Sequence, residues 1–388
     1  MTDLLSRLFV KNYKDTKNPD VRLAYGMFAG IVGIVCNIIL FLFKLTAGFV
    51  TSSVSIMADA INNLSDAGSS IVTLAGFKLA SKPADTQHPY GHGRIEYISG
   101  FIVSGLIVIM GFELFRTSLV KVIHPEPLEF SVVSIVILVG SIFVKLWMSS
   151  FNRKLGNRVD SAAMKATSID SLSDCISTTV VLAGVIFTQA TGINIDGIAG
   201  VIVALFVMYA GFGAAKDTLQ PLLGQPPERE FVEEIEKLLL EDEHIIGMHD
   251  LVVHNYGPGR VFVSAHAEVP SNLDMMMAHD VIDMAERRIG KKMGCFITIH
   301  MDPVVIDDEI INELKQMVVD IVNEVSSELS IHDFRTVRGP YLTNLIFDIL
   351  VPYGFKMSDE EVVHTIQKKI TDQHSNCQAV IHVDKQMY

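Results

Sequence analysis

Six long apolar stretches within residues 1–221 constrain this chain more than any other feature. Each is close to the ~20 helical residues needed to cross the ~30 Å hydrocarbon core of a bilayer. With 49% hydrophobic residues and a mean hydropathy of +0.37, the chain is too apolar for an ordinary soluble enzyme of 388 residues. The sequence therefore predicts a polytopic membrane protein, with spans at about residues 25–50, 54–80, 97–120, 129–150, 165–190 and 195–215.

Charge divides the chain at the same border. Residues 1–221 hold 17 Lys and Arg against 15 Asp and Glu, whereas residues 222–388 hold 14 against 29, so the formal charge of −13 comes from the second part. An acidic domain excludes a basic surface for nucleic acid and can attract cations, although it also serves solubility. The four cysteines form no CxxC pair, which argues against a disulfide framework and against a thiolate zinc site.

Basic residues predict the orientation of the spans. Lys and Arg are concentrated before the first span, between spans two and three, and after span four, whereas the opposite loops are nearly free of them. Because cytoplasmic loops carry an excess of Lys and Arg, both termini are predicted to lie in the cytoplasm of a multi-pass cell-membrane protein.

Acidic residues lie inside two of the predicted spans. Span five contains ATSIDSLSDCIST, in which Asp170 and Asp174 are four residues apart, and span two contains SIMADAINNLSDAGSS, with Asn62 and Asp66 at the same spacing. Residues at i and i+4 project from one helix face, and ionisable groups in a membrane usually face a partner or a water-filled cavity. Two such pairs can supply four oxygen donors to one divalent cation.

A structural alternative is that Asp170 and Asp174 merely pair with a buried lysine, Lys44 or Lys145. An ion pair does not need two carboxylates on one helix face, so we favour the metal site. Asp59, further along the second span from Asp66, either lines the same pathway or forms a local hydrogen bond.

Several motifs together resemble the cation diffusion facilitator family. They are NxxxD in span two, DxxxD in span five, the loop PADTQHPYGHGRIE and the six spans followed by a His-containing domain, and they cover about residues 20–303. The resemblance implies a homodimer in the lipid bilayer that exports a divalent metal ion in exchange for protons, with no enzymatic activity and no cofactor. It implies a transport site made of Asn62, Asp66, Asp170 and Asp174.

The transport site departs from the family's zinc-selective members, which commonly have a histidine in the quartet. Imidazole suits zinc and other late metals, whereas carboxylate and amide oxygens suit harder ions. Manganese is therefore the predicted substrate, and the all-oxygen quartet resembles the family's manganese-exporting branch. Zinc, iron(II) and cobalt stay open, because selectivity also depends on geometry.

Further metal ligands are implied outside the membrane. Asp85, His88 and His92 lie in the loop between spans two and three at a spacing compatible with one ion, although such clusters are also common in loops without a metal. Family positions for a binuclear regulatory site in the cytoplasmic domain correspond to His249, His266, His279, His300 and Asp302.

The second half of the chain contains an internal repeat. GMHDLVVHNYGPGRVFVSAHAEVP is echoed by SIHDFRTVRGPYLTNLIFDILVP, and FITIHMDP by AVIHVDKQ. The predicted fold is a cytoplasmic segment (1–22), six transmembrane helices (23–221) and two tandem α+β ferredoxin-like cytoplasmic domains (222–303 and 304–388). The second copy retains His332, His382 and Asp384 but has Asp348 and Glu360 where the first has His266 and His279, which favours a structural role for it.

Two other functions fit parts of the sequence. A membrane-anchored metal sensor explains the histidines but not the carboxylates inside the spans. An intramembrane metalloprotease requires a catalytic set such as HExxH, and the spans contain none.

Overall fold

A computed structural model describes residues 2–16, 18–51, 54–124, 132–339 and 341–385 of the chain. In these ranges a short helix precedes six long ones, and every predicted span falls on a long helix. The first residues of the predicted fourth span, 129–131, lie outside the described ranges. The helices are α1 (Thr2–Phe9), α2 (Pro19–Thr51), α3 (Val54–Ala80), α4 (Ile95–Ile123), α5 (Val132–Arg158), α6 (Ala162–Thr191) and α7 (Asp196–Leu223).

Within the described residues, five of the six long helices are long and apolar enough to cross a membrane, and α3 is the exception. With 27 residues, α3 is long enough to span, but it is rich in polar side chains. Asp66, Ser70 and Thr73 of this helix are buried, whereas Ile61 and Ile71 are exposed. An apolar outer face and a polar inner face allow a lipid-facing helix to carry polar groups into the helical core.

Hydrogen bonds from side-chain hydroxyls hold α3, α5 and α6 together. The hydroxyls of Thr73 on α3 and Thr167 on α6 lie 3.0 Å apart. Ser149 on α5 donates to the backbone carbonyl of Ser168 on α6 at 2.9 Å, and Ser168 donates to that of Ser149 at the same distance. Interhelical bonds of this kind replace the missing hydrophobic drive for helix association in lipid. They fix the three helices that carry the acidic residues and their lysine.

The second half of the chain contains two α+β domains with one order of elements: helix, strand, strand, helix, strand. Both belong to one compact unit, Pro226–His254 together with Val261–Tyr388. The first domain has α8 (Arg229–Leu239), β1 (Gly247–Asn255), β2 (Val261–Pro270), α9 (Met275–Met293) and β3 (Phe296–Val304). The second has α10 (Glu309–Val325), β4 (Ser330–Arg338), β5 (Thr343–Val351), α11 (Asp359–Gln373) and β6 (Cys377–Lys385).

The sheets of the two domains match residue by residue. Their strand orders are β1-β2-β3 and β4-β5-β6. In the parallel pair of the first sheet His266 is opposite His300, and in that of the second Asp348 is opposite His382. Because register determines which side chains share a face, equivalent positions of the two repeats present their side chains alike.

Each sheet is covered by its own helices around a separate apolar core. In the first domain Ile235 and Ala285 are fully buried, and in the second Phe347 and Ile366 are fully buried. Burying each such aliphatic or aromatic side chain contributes roughly 1.5–3 kcal/mol. Each domain therefore has the core it needs to present its strand residues rigidly.

Candidate metal sites

A cavity of about 350 Å³ lies among the membrane helices, and all four predicted transport residues line it. One carboxylate oxygen from each of Asp66, Asp170 and Asp174 lies within 4.8 Å of the other two. Asp66 and Asp170 are 3% and 4% exposed, whereas Asn62 is exposed toward the cavity it lines. The i, i+4 spacing on α3 and α6 thus places four oxygen-bearing side chains around one small volume.

Lys145 on α5 occupies the centre of this group. Its Nζ lies 2.6 Å from Oδ2 of Asp66 and 2.6 Å from Oδ2 of Asp174. Among the ion pairs of the described residues Asp170 has no lysine partner, and Oδ1 of Asp66 is buried without a hydrogen bond. Of the two carboxylates in the structural alternative, Asp174 therefore has the buried lysine partner, and Lys145 pairs with Asp66 as well. Three carboxylates and one ammonium group leave a formal charge of −2, which one divalent cation balances.

A second ion pair lines the same cavity. Lys44 on α2 lies 2.8 Å from Oδ2 of Asp59 on α3, and both residues border the cavity. Asp59 therefore borders the cavity and forms an ion pair with a lysine of a neighbouring helix. Glu113 on α4 also lines the cavity. A net negative lining of this kind favours entry of cations.

The predicted loop residues come together between α3 and α4. Ligand atoms of Asp85, His88 and His92 lie within 4.8 Å of one another. The carboxylate of Asp85 is 3.4 Å from Nδ1 of His88 and 3.5 Å from Nε2 of His92. Nδ1 of His92 lies 3.1 Å from the carbonyl oxygen of Pro83, a contact that favours the proton on Nδ1 and leaves Nε2 able to bind metal. The backbone N–H of His88 donates to Asp85 at 2.7 Å and lowers the pKa of that carboxyl.

Four of the five predicted regulatory residues form one cluster on the first α+β sheet. One carboxylate oxygen of Asp302 is 2.8 Å from Nδ1 of His266 and 3.3 Å from Nε2 of His249. Its other oxygen is 3.4 Å from Nε2 of His300. His279 instead lies on the exposed side of α9 and belongs to none of the metal-ligand clusters found in the described part of the chain.

The second α+β domain repeats part of this cluster. His332 lies 3.1 Å from Asp384, as His249 lies 3.3 Å from Asp302 in the first domain. Ligand atoms of His332, Asp348 and Asp384 fall within 4.8 Å of one another. Burial, followed by the neighbouring charge of Asp384, raises the pKa of the Asp348 carboxyl.

Sequence reasoning missed the central position of Lys145 and the role of Asp250. Lys145 is separated by 29 residues from Asp174 and by 79 from Asp66, so only the packing of the helices reveals its position. Asp250 forms a cluster with His249 and His332. The available signal was the His-Asp dipeptide, which occurs at the same place in both repeats.

Comparisons with known proteins match both halves of this architecture. The family model for the cation efflux transmembrane domain matches residues 30–223, and that for the cation efflux protein, cytoplasmic domain, matches residues 227–304. An uncharacterized transporter of Methanocaldococcus jannaschii is 36% identical over 260 residues, which cover 67% of this chain and 91% of that protein. The cation-efflux pump FieF of Klebsiella pneumoniae is 28% identical over 265 residues, 68% of this chain and 88% of the pump. FieF of Escherichia fergusonii is 27% identical over 276 residues, 71% and 92% of the two chains.

These matches agree with the family resemblance of the sequence motifs. The transmembrane match spans half of the chain, and it includes the four cavity residues on α3 and α6. Residues 305–388 lie outside both matched ranges, so the second α+β domain is an addition to the matched plan. The chain belongs to the cation diffusion facilitator family and is a multi-pass membrane transporter for cation efflux, not an enzyme.

Proposed function

We propose that this transporter exports manganese(II) from the cytoplasm in exchange for protons, with Asn62, Asp66, Asp170 and Asp174 as its transport site. The observation that carries the proposal is the all-oxygen donor set in a membrane cavity. Neither histidine nor cysteine is among the described residues that line it. Carboxylate and carbonyl oxygens suit manganese, whereas a zinc-selective site gains from imidazole.

Proton exchange follows from the same ligands. Carboxylates bind metal in their ionised form and can be protonated after release, so metal and protons compete for the same oxygens. An inward proton gradient then favours release of the ion on the far side of the membrane. The helices would alternate access around a fixed central site, as in other transporters with sites at membrane depth.

Lys145 adds a step to this exchange. An ion that binds Asp66 and Asp174 must displace an ammonium group that lies 2.6 Å from each of them. The tethered cation balances part of the negative charge while no metal is bound, which stabilises buried carboxylates that would otherwise repel one another. Return of the ammonium group after metal release would prevent the ion from rebinding.

The membrane arrangement and the assembly are also proposals. The distribution of Lys and Arg supports cytoplasmic termini, which would place both α+β domains on the side from which the ion is taken. We propose a homodimer, as the family resemblance implies. The loop cluster of Asp85, His88 and His92 and the sheet cluster of His249, His266, His300 and Asp302 would bind regulatory metal rather than the transported ion.

Two alternative functions are each supported by a specific observation. The His–Asp clusters outside the membrane would suit an exporter of zinc or iron(II), since imidazole binds both metals. The pairing of Lys145 with two of the three carboxylates would suit a membrane-anchored metal sensor, in which those carboxylates only stabilise the helices. Among the described residues the third carboxylate, Asp170, makes no direct ion pair with a lysine, which favours transport.

Transport by the purified protein in liposomes tests the proposal. Uptake of manganese, zinc, iron(II) and cobalt is measured in parallel, with and without an opposing proton gradient. We expect manganese to move fastest and its movement to require the gradient. Preference for zinc or iron(II) would refute the manganese assignment, and transport that ignores the proton gradient would refute antiport. Absence of transport for all four ions in a folded protein would support the sensor.

A further inference from the structure

The two α+β domains bring metal-ligating side chains together across their mutual interface. His249 and Asp250 come from β1 of the first domain, and His332 comes from β4 of the second. The ring centroids of the two histidines lie 4.7 Å apart. Oδ2 of Asp250 is 3.4 Å from Nδ1 of His249, and its Oδ1 is 3.3 Å from Nε2 of His332. A single carboxylate thus lies between one imidazole from each repeat.

The spacing of these atoms matches a coordination sphere. Oδ2 of Asp384 adds a further carboxylate oxygen 3.1 Å from Nε2 of His332. Ligand atoms bound at about 2.0–2.1 Å in a tetrahedral site are separated by about 3.3 Å. Nε2 of His332 lies 3.3 Å from one oxygen of Asp250 and 3.1 Å from one oxygen of Asp384, whereas Nδ1 of His249 lies 3.4 Å from the other oxygen of Asp250. The four residues border a cavity of about 350 Å³ in this part of the molecule. Ligand atoms of His249, Asp250 and His332 lie within 4.8 Å of one another, so these three are close enough for one ion, and Asp384 adjoins them at His332.

Burial of His249 is the second observation that points to a ligand. Its side chain is 8% exposed, and neither ring nitrogen makes a hydrogen bond among the described residues. A buried polar group without a hydrogen bond costs about 1–3 kcal/mol. Nε2 of this ring faces Asp302 in the first-domain cluster, whereas Nδ1 faces Asp250 at the domain interface. When both places hold an ion, the ring bridges them as an imidazolate and its proton is released to solvent.

Backbone conformation directs the carboxylate to this place. Asp250 has a φ of 49°, and the equivalent residue of the second repeat, Asp333, has a φ of 51°. The left-handed region is uncommon for residues other than glycine, and such residues occur often at functional sites. In β4 the pairing register shifts between His332 and Arg335, so the strand is irregular beside His332.

We propose a divalent-cation site between the tandem domains, with His249 and Asp250 as ligands from the first and His332 and Asp384 as ligands from the second. Two imidazoles and two carboxylates suit zinc, iron(II), cobalt or nickel. An ion held there links the two repeats, so it makes the packing of the second domain on the first dependent on metal. The second domain would then be a metal-dependent clamp, rather than the purely structural addition that its changed residues suggested.

Zinc binding to the full-length protein tests this site independently of transport. All variants are made in an Asp174→Ala background, which removes the membrane site from the count. Bound zinc per chain is measured by equilibrium dialysis and elemental analysis. Asp250→Asn, which keeps the side-chain size and tolerates the left-handed backbone, and His332→Ala should each weaken one equivalent of zinc about tenfold or more. His364→Ala, an exposed histidine of α11 outside the clusters, should leave zinc binding unchanged.

A further variant separates this site from the cluster within the first domain. His266→Ala should remove a different ion, so the variant with both His266→Ala and His332→Ala should lose two equivalents. Zinc binding that is the same in the Asp174→Ala parent, with Asp250→Asn added and with His332→Ala added would overturn the proposal. An equal loss of bound zinc with His364→Ala would also overturn it. The same holds if the double variant loses only the one equivalent of zinc that His266→Ala alone already loses. Thermal unfolding with a chelator present checks that each variant is folded before zinc is added.

Discussion

The membrane cavity and the α+β unit use different ligand chemistry around similar groups of carboxylates. In the cavity Asp66, Asp170 and Asp174 are accompanied by an amide and a lysine. In the α+β unit every metal-ligand cluster among the described residues contains a histidine, such as His249 or His332. Oxygen donors suit manganese, and imidazole suits later metals. The difference suggests that one part of the chain selects the ion to be moved while the other responds to late metals.

Removal of a cavity carboxylate should have the largest effect. Asp66→Ala, Asp170→Ala or Asp174→Ala removes one of three anionic ligands, so metal uptake into proteoliposomes should fall to background. Asp196→Asn is the matched control, because it alters a buried carboxyl that pairs with Lys121 away from the cavity. Full transport by the Asp174→Ala protein would show that Asp174 belongs to a structural ion pair and not to the transport site.

Replacement of Lys145 should change metal affinity in the cavity alone. Lys145→Met removes the cation that competes with the metal for Asp66 and Asp174. If this makes the free energy of metal binding more favourable by only ~1.4 kcal/mol, the affinity rises about tenfold. The metal-free variant should also be less stable, because the buried carboxylate of Asp66 and the partly buried carboxylate of Asp174 lose their partner. Manganese-dependent thermal shifts measure both effects, with Lys121→Met as the control. Unchanged manganese affinity in a folded Lys145→Met protein would show that the ammonium does not compete with the ion.

Removal of the second α+β domain should have a smaller effect on transport. A chain that ends after residue ~304 keeps the cavity and the first-domain cluster but loses His332 and Asp384. We expect it to transport manganese, with lower stability and altered activation by zinc. Proteoliposome uptake with and without added zinc is the measurement. Complete loss of transport in a well-folded truncation would show that the second domain is essential and not modulatory.

The smallest expected effect concerns helix α11 of the second domain. Backbone and side-chain hydrogen bonds from Ser358 in the capping box lower the pKa of Glu361. Because the pKa is depressed in the folded protein, this stabilisation is present above the ordinary pKa of ~4.3 and is lost as the pH falls through the folded value. Hydrogen exchange of α11 amides should therefore be faster in Glu361→Gln than in wild type at pH 7, and the difference should shrink only as the pH falls below ~4.3. Equal exchange at pH 7 would contradict this, and α9 provides the internal control.

Much of the membrane half can be predicted from local sequence. Apolar length gives the spans, and the four-residue spacing of Asp170 and Asp174 places both carboxylates on one side of α6, where they line the cavity. The contact of Lys145 with those helices cannot be predicted in the same way. Different packings of the helices would place a lysine of an apolar run next to different carboxylates. Only the tertiary structure determines which of them it contacts.

The α+β half shows a similar limit to what local sequence can predict. The repeat in the sequence predicts two domains of one topology, and strand periodicity predicts that His266 and His300 share a face. The contact between Asp250 and His332 is different, because it depends on a left-handed backbone conformation and on packing between domains. Neither property has a local sequence signal beyond the repeated His-Asp dipeptide. A prediction of metal ligands from one repeat alone therefore misses the side chains that the second repeat places beside them.

The ratio of zinc to manganese uptake tests the central claim most directly. It is measured in proteoliposomes for wild type and for Asn62→His, which adds an imidazole to the all-oxygen cavity without removing a carboxylate. We predict that wild type prefers manganese and that Asn62→His raises the ratio toward zinc, because imidazole favours the later metal. A wild-type protein that already prefers zinc would contradict the account, since it would show that the oxygen ligands of the cavity do not set the choice of ion.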